Sequence, residues 1–394
     1  MIDRPLFLAV AALIVIGIVF SYSLSAYAVL LFNTQPWHFL IRQFGAGMVG
    51  IFLMWVIARQ NPDKITTPLG IAIFTLSVLM MIALPFLPEH FAKEVGGAKR
   101  WLKLGSLSLA PVEFFKVGFV YFLAWSLSRR VIPKHMKRGR EQKRYTLKEE
   151  LVIVLPYLIV FLAFMFIIAI FQNDLGQVIV LAATMLFLIT FAGGSIRFFG
   201  MILLAGVGFI AVFVLTSPHR IERFKGWWYM MQNAIAKLFP QWAAAVPKVS
   251  LAEEPYQVSN SLHAIHHGGL FGVGLGDGVL KLGFLSEVHT DFVLAGMAEE
   301  IGIVGVGVVV ALLMFVVFRL LRIAGRSENT AYYIYCSGFA MIIGFSFFIN
   351  ALGISGVIPL KGIAVPFLSY GGSQLLALSI GMGLALSMSK KSKL

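Results

Sequence analysis

The sequence is short of cysteine, of acidic residues and of charge altogether. Its one cysteine, Cys336, lies inside an apolar run. An intrachain disulfide is therefore excluded, and neither a CxxC pair nor a zinc-knuckle spacing exists. The thiol reads as helix packing. Charged residues make up 13% of the chain, about half the share of a soluble domain. Acidic residues number 18 against 32 basic ones, a net charge of +14. That excess does not describe a nucleic-acid surface, because the cations collect in short loops between apolar runs.

What fills the chain instead is apolar: 59% of 394 residues, with 35 phenylalanines. A water-soluble fold of this length has no place to hide so much apolar surface, so lipid is the expected solvent. Runs of spanning length lie near 6–31, 38–58, 66–88, 107–128, 151–170, 175–193, 197–216, 291–321, 331–353 and 363–388. At 1.5 Å per residue each crosses a hydrocarbon layer of ~30 Å. The expectation is an all-α polytopic membrane protein of about ten transmembrane helices, with 1–394 forming one domain. Arg4 ahead of the first run, and Ala26-Tyr27-Ala28 near its end, resemble a cleavable leader. The run is too long for that, and an uncleaved first helix is expected.

Basic loops set the direction. Residues 129–150 hold nine lysines or arginines against three glutamates, marking the cytoplasmic side. Counting from there places both termini inside and the long 217–290 loop outside, between helices 7 and 8. Residues 89–105 carry Lys93, Lys99, Arg100 and Lys103 outward against the charge rule, which suggests an anionic ligand there or lipid headgroups. In the long loop, Gly226-Trp227-Trp228-Tyr229 and Trp242 suit a helix lying in the interface. Gly268-Gly269-Leu270-Phe271-Gly272-Val273-Gly274-Leu275-Gly276 permits tight turns and close backbone approach. No strand precedes it and no Gly-Lys-Ser/Thr follows, so it is no phosphate loop.

Ionisable residues near spans are costly and therefore candidates for function. Asp291, where the long loop meets the eighth span, is partly desolvated and suits a general base, with His289 and Thr290 as hydrogen-bond partners. On the residues alone a helix N-cap is the favoured reading. Glu299 and Glu300, two turns further in, read as internal salt bridges rather than an ion path. Glu113 and Lys116 share one face of the fourth span and read as a buried pair. Asp174 opens the sixth span as cap or site member. His263, His266 and His267 complete no zinc motif.

Several motifs in order resemble the shape, elongation, division and sporulation (SEDS) family. These are Gly97-Ala98-Lys99-Arg100-Trp101; Pro111-Val112-Glu113 with Lys116; Pro255-Tyr256-Gln257 through Ser261 with the glycine run; Thr290-Asp291-Phe292 with Ala298-Glu299-Glu300-Ile301-Gly302; and Asn350 through Pro366-Phe367-Leu368-Ser369-Tyr370-Gly371-Gly372-Ser373. The chain departs from the family pattern at Asn173, Ser286, Lys361, Ala364-Val365 and Gln374. The glycine run and the stretch to Leu280-Lys281-Leu282 resemble the family's division branch more than its elongation branch.

The resemblance implies a peptidoglycan glycosyltransferase that polymerises lipid II at the outer face of the bacterial cytoplasmic membrane during division. Asp291 would be the base. Arg100 and Lys116 would stabilise the leaving pyrophosphate, and Glu113 would shape the cavity. Asp174, Gln257, Ser261, Thr290 and Ser369 would contact substrate. A divalent cation, Mg or Mn, could bridge Asp291 and the pyrophosphate; no organic cofactor is implied. Implied partners are a class B penicillin-binding transpeptidase, FtsI-like, divisome regulators and membrane lipids. Rival readings are an elongation polymerase, a lipid II flippase or other transporter, and an inactive scaffold. A transporter site is expected near the midplane, whereas Asp291 is expected at the outer boundary.

Overall fold

The computed structural model describes residues 2–95, 97–105, 107–130, 147–191, 195–215, 218–239, 256–359 and 362–392. Most of the basic 129–150 loop, Trp242, Lys361 and the tail at Lys393 lie outside the described residues.

The expected runs return as helices: α1 Arg4–Ser23, α2 Ala26–Leu31, α3 His38–Arg59, α4 Pro62–Ala83, α5 Pro111–Arg130, α6 Leu147–Phe166, α7 Leu175–Phe191 and α8 Ile196–Leu215. Then follow α9 Pro218–Leu238 and α10 Tyr256–Gly268 in the long loop, and α11 Val293–Gly325, α12 Thr330–Ile354 and α13 Gly372–Ser389. Among the described residues, seven helices are long and apolar enough to cross a membrane, with two shorter apolar ones, Leu175–Phe191 and Phe199–Gly208. The chain is a multi-pass membrane protein.

Local chemistry sets the ends. Asp3 accepts from Leu6 N at 3.0 Å to cap α1, with proline in the first turn. Asn61 caps α4 and Asn329 caps α12 in the same way. The two ends of the chain meet on one face: Asp3 N donates to Ser389 Oγ at 3.2 Å, and Arg319 donates to Asp3 Oδ2 at 2.6 Å.

Four boundaries differ from expectation. The first run breaks at Leu24-Ser25 into α1 and α2. Leu107–Leu109 is a strand paired with Leu102–Leu104, beside a second hairpin of Glu94–Val95 and Ala98–Lys99, so the fourth span begins at Pro111. The eighth begins at Val293, and the tenth at Gly372 because Ile363–Gly371 is not helical. The fourth helix, α5, carries Glu113, Lys116 and Ser126 yet is enclosed by α4, α12 and α13. A helix walled off from lipid by its neighbours need not be apolar all round.

α11 is interrupted at Gly302 (φ 70°, ψ 176°). The break removes two helical hydrogen bonds, and the glycine run supplies their replacements. Val273 N and Gly274 N donate to Glu299 O and Glu300 O, each at 3.0 Å. Ile303 N and Val304 N donate to Gly269 O and Leu270 O at 3.0 and 3.1 Å. All four backbone groups freed by those two bonds are paired again, which is what a break inside a membrane bundle demands. A Cβ on Gly302 would stand 2.3 Å from Leu270 O and one on Gly272 2.2 Å from Glu300 O, so only glycine permits this approach.

The acids beside the kink hold the same loop. Lys281 Nζ meets Glu300 Oε1 at 2.6 Å, and Ser23 Oγ donates to the same carboxylate. Glu299 Oε1 accepts from Val279 N and Leu280 N at 2.7 and 3.0 Å and lies 3.0 Å from His267 Nδ1. Both acids are buried and paired, as the salt-bridge reading expected.

Candidate active site

The segment before α11 is a tight turn. Thr290 N and Phe292 N both donate to Glu287 O, at 3.1 and 3.2 Å, and Glu287 itself sits at φ 54°. The residue that caps α11 is Phe292, with no side-chain cap bond. Asp291 is therefore not an N-cap. Its carboxylate lies over Gly362, where a Cβ would stand 2.5 Å from Oδ2. The expected partners also differ. Thr290 Oγ1 donates to Glu287 Oε2 at 3.0 Å, and the His289 ring packs between Phe39 and Tyr370, centroids 5.1 and 5.6 Å away.

Three successive carbonyls of this turn are clamped. Tyr370 N donates to His289 O at 2.8 Å, Ser369 Oγ to Thr290 O at 2.6 Å, and Asn350 Nδ2 to Asp291 O at 2.6 Å. The clamps are clamped in turn. Val365 N donates to Ser369 Oγ at 2.8 Å, and Asn350 Nδ2 also donates to Ile363 O at 2.6 Å. On α3, Gln43 Nε2 donates to Ser369 O, and its Oε1 accepts from Gly371 N, both at 3.2 Å. Ile363–Gly371 gives up helix so that its backbone can splint the Asp291 turn to α3 and α12.

The charged residues of the sequence motifs converge from three further elements. Arg100, after the first hairpin, donates from Nε to Gln172 O at 2.6 Å and from Nη2 to Asn173 O at 3.0 Å. Asn173 adopts φ 47°, a left-handed turn that presents both carbonyls. Asp174 then caps α7, accepting from Gln177 N at 3.1 Å, as the cap reading expected. Gln177 Nε2 donates to Glu113 Oε1 at 3.2 Å, and Glu113 Oε2 pairs with Lys116 Nζ at 2.8 Å.

These groups feel one another. Burial pushes Asp291 up to about 7; Glu287 and Asp174 push it the same way, and Arg100 opposes them. Burial also raises Asp174, which senses Arg100, Glu113 and Lys116. Burial lowers His289, favouring its neutral form. The arrangement thus offers a carboxylate that changes protonation near neutral pH, a cation in electrostatic reach of it, and buried polar groups around Asp174 and Glu113.

Two expected substrate contacts are spent elsewhere. Ser261 is fully buried, and its hydroxyl donates to Ile354 O at 2.6 Å, joining α10 to α12. Gln257 Nε2 donates to Ser286 Oγ at 2.9 Å and braces the turn. Thr290 and Ser369 act on the Asp291 turn through the bonds above. Sequence reasoning missed Gln43 and Gln177, named Asn350 only within a motif, and missed Glu287 as a member of the site. Lone amides inside otherwise apolar helices were the available signal for the first three. Among the described residues no group of three or more His, Cys, Asp or Glu is placed to hold a metal ion. A divalent cation here would rest on Asp291 together with substrate phosphates and water, the kind of sparse set Mg²⁺ accepts.

The family described as "Cell cycle protein", that of FtsW, RodA and SpoVE, matches residues 4–394. The chain is 44% identical over 392 residues to the "Probable peptidoglycan glycosyltransferase FtsW" of Helicobacter pylori, covering 99% of each chain. It is 31% identical to the protein of that name from Coxiella burnetii, over 89% of this chain and 86% of that one. Its fold matches the rod shape determining protein RodA of Thermus thermophilus with a TM-score of 0.65 at 24% identity, covering 100% of this chain and 98% of that one. It also matches a chain from "Structural coordination of polymerization and crosslinking by a peptidoglycan synthase complex", with a TM-score of 0.68 at 24% identity over 99% and 98% of the two chains. Matched from end to end by the family and by curated relatives, this chain belongs to the FtsW/RodA/SpoVE cell cycle proteins.

Proposed function

We propose that this chain is a peptidoglycan glycosyltransferase of the FtsW kind, polymerising lipid II at the outer face of the cytoplasmic membrane. The observation that carries the mechanism is the Asp291 carboxylate, pushed to about 7 and held over Gly362 with Arg100 in electrostatic reach. A general base works best when its pKa lies near the operating pH. Asp291 accepts the proton of the acceptor sugar hydroxyl while the new glycosidic bond forms. The bond from the donor's anomeric carbon to the pyrophosphate oxygen breaks, and undecaprenyl pyrophosphate leaves. Arg100, oriented by two backbone carbonyls, faces the charge that develops on that leaving group. Lys116 is buried against Glu113, itself bonded to Gln177, rather than reaching the leaving group.

A divalent cation, if bound by Asp291 and the pyrophosphate, would supply charge neutralisation there. The basic 129–150 loop supports an orientation with both termini cytoplasmic and Asp291 outward. A class B transpeptidase is the partner we propose, with the half-buried Trp227-Trp228-Tyr229 face of α9 held to the loop after α12: Trp227 Nε1 donates to Gly356 O at 3.1 Å.

The test is polymerisation of lipid II by the purified chain, alone and with a class B transpeptidase. Glycan strands that disappear with Asp291→Asn are expected. Unchanged polymerisation by that variant refutes the base; lipid translocation without polymer would instead identify a flippase.

A further inference from the structure

A second cation stands at the outer end of α3, apart from Arg100. Arg42 is exposed, one turn inside the helix start, and hydrogen-bonds the Tyr370 side chain. His38 lies four residues earlier on the same face and senses its charge. The wall behind Arg42 is rigid. Phe39, His289 and Tyr370 form a ring cluster with centroids 5.1 to 5.6 Å apart. Gln43, next in sequence, is buried and bonded to the backbone at Ser369 and Gly371. Flanking Ile41 and Phe44 are 64% and 54% exposed, so this stretch of α3 faces lipid. An arginine there is costly unless it reaches phosphate.

Its distance from the base has a chemical use. The charges that act on the Asp291 carboxylate are Glu287, Asp174 and Arg100. Arg42 is not among them; it bonds the side chain of Tyr370, and the Tyr370 backbone N–H donates to His289 O, two residues before Asp291. In a glycan polymerase two lipid-linked pyrophosphates are present. The donor's is expelled at the reacting carbon and needs a cation beside the base. The acceptor's is retained, and lies at the reducing end of a disaccharide whose other end carries the attacking hydroxyl. A cation for the retained group must therefore stand a disaccharide's length from the base.

We propose that Arg42, oriented by Tyr370 and flanked by His38, is the phosphate site for the acceptor's retained pyrophosphate. The assignment rests on the polymerase reading above. Arginine's planar fork suits two phosphate oxygens at once. The shared chemistry with a bulk phospholipid headgroup is the phosphate itself, so the experiment separates the two.

In the Asp291→Asn background, which removes turnover, lipid II binding is measured in neutral phosphatidylcholine nanodiscs with and without Arg42→Gln. About a tenfold loss of affinity is expected, with Arg42→Lys intermediate and Tyr370→Phe smaller. With Asp291 intact, a lipid II whose acceptor hydroxyl is capped serves as donor. The acceptor is either lipid II or the same disaccharide-peptide bearing a short alkyl group in place of the polyprenyl pyrophosphate. Arg42→Gln should raise KM about tenfold for the first acceptor and less than twofold for the second. Equal penalties for both acceptors, a penalty that follows the anionic lipid content of the nanodisc, or undiminished lipid II binding would overturn the assignment. Loss of coupling by the parent enzyme with Arg42-dependent binding preserved would instead sink the polymerase reading and leave the phosphate-lipid site standing.

Discussion

Replacing Asp291 with asparagine should make the protein more stable, and only at neutral and alkaline pH. The folded state holds the carboxyl at about 7, well above the ordinary carboxylate range, chiefly by burial. A raised pKa means the native state grips the proton more tightly than the unfolded chain does. Stability is therefore greatest below the unfolded value and falls as pH rises through the folded one. Between pH 5.5 and about 7 the decline amounts to ~2 kcal/mol at 1.36 kcal/mol per unit, reduced to ~1–2 kcal/mol because the group is half-buried rather than sealed. Asparagine keeps the shape and has no charge to lose. Cys336, the only cysteine and fully buried in α12, reports unfolding through a thiol-reactive dye in detergent. The variant and parent should melt with one offset at pH 5.5, and the variant's advantage should grow by a few degrees at pH 8. An offset that stays constant with pH, or shrinks, refutes the claim that the buried carboxylate is strained by its charge.

Three further outcomes follow from the same geometry. As a base, Asp291 must be unprotonated, so kcat/KM for lipid II should fall about tenfold per pH unit below about 7 and level off above it; a limb near 4 would contradict the raised carboxyl. Gly362→Ala would drive a methyl against Asp291 Oδ2, and displacing the base by about 1 Å should cost ~100-fold in kcat with folding retained, measured by strand synthesis beside a melting curve. Lys116→Met strands the buried Glu113 carboxylate and should cost ~3–5 kcal/mol, whereas Glu113→Gln with Lys116→Met should recover most of it; equal melting temperatures for the single and double variants would argue against the pair.

Much of the architecture was legible in the residues themselves. Apolar runs long enough to cross a bilayer became helices because lipid offers the backbone no hydrogen bonds, and the helix supplies them internally. Glu113 and Lys116 three apart had to share a face, and they pair. The density of glycine from 268 to 276 announced close backbone approach, but not toward what.

Only the tertiary structure decided that. The glycine run exists to repair the break at Gly302, a partner 30 or so residues away that no local pattern connects to it. Apolar composition predicted helix for residues 363–371, and the structure uses them as a non-helical, turn-bearing segment, because the Asp291 turn has three carbonyls that need donors from outside it. On its residues alone Asp291 read as a cap before a base, and only the family resemblance favoured the base. Capping is a local property, and here the local turn leaves that carboxylate unused by α11 and places it over Gly362. Its elevation to about 7 comes from burial by distant elements and from Glu287 and Asp174. Sequence spacing determines which residues share a helix face; which charges share a site is settled by packing, since desolvation belongs to the whole bundle.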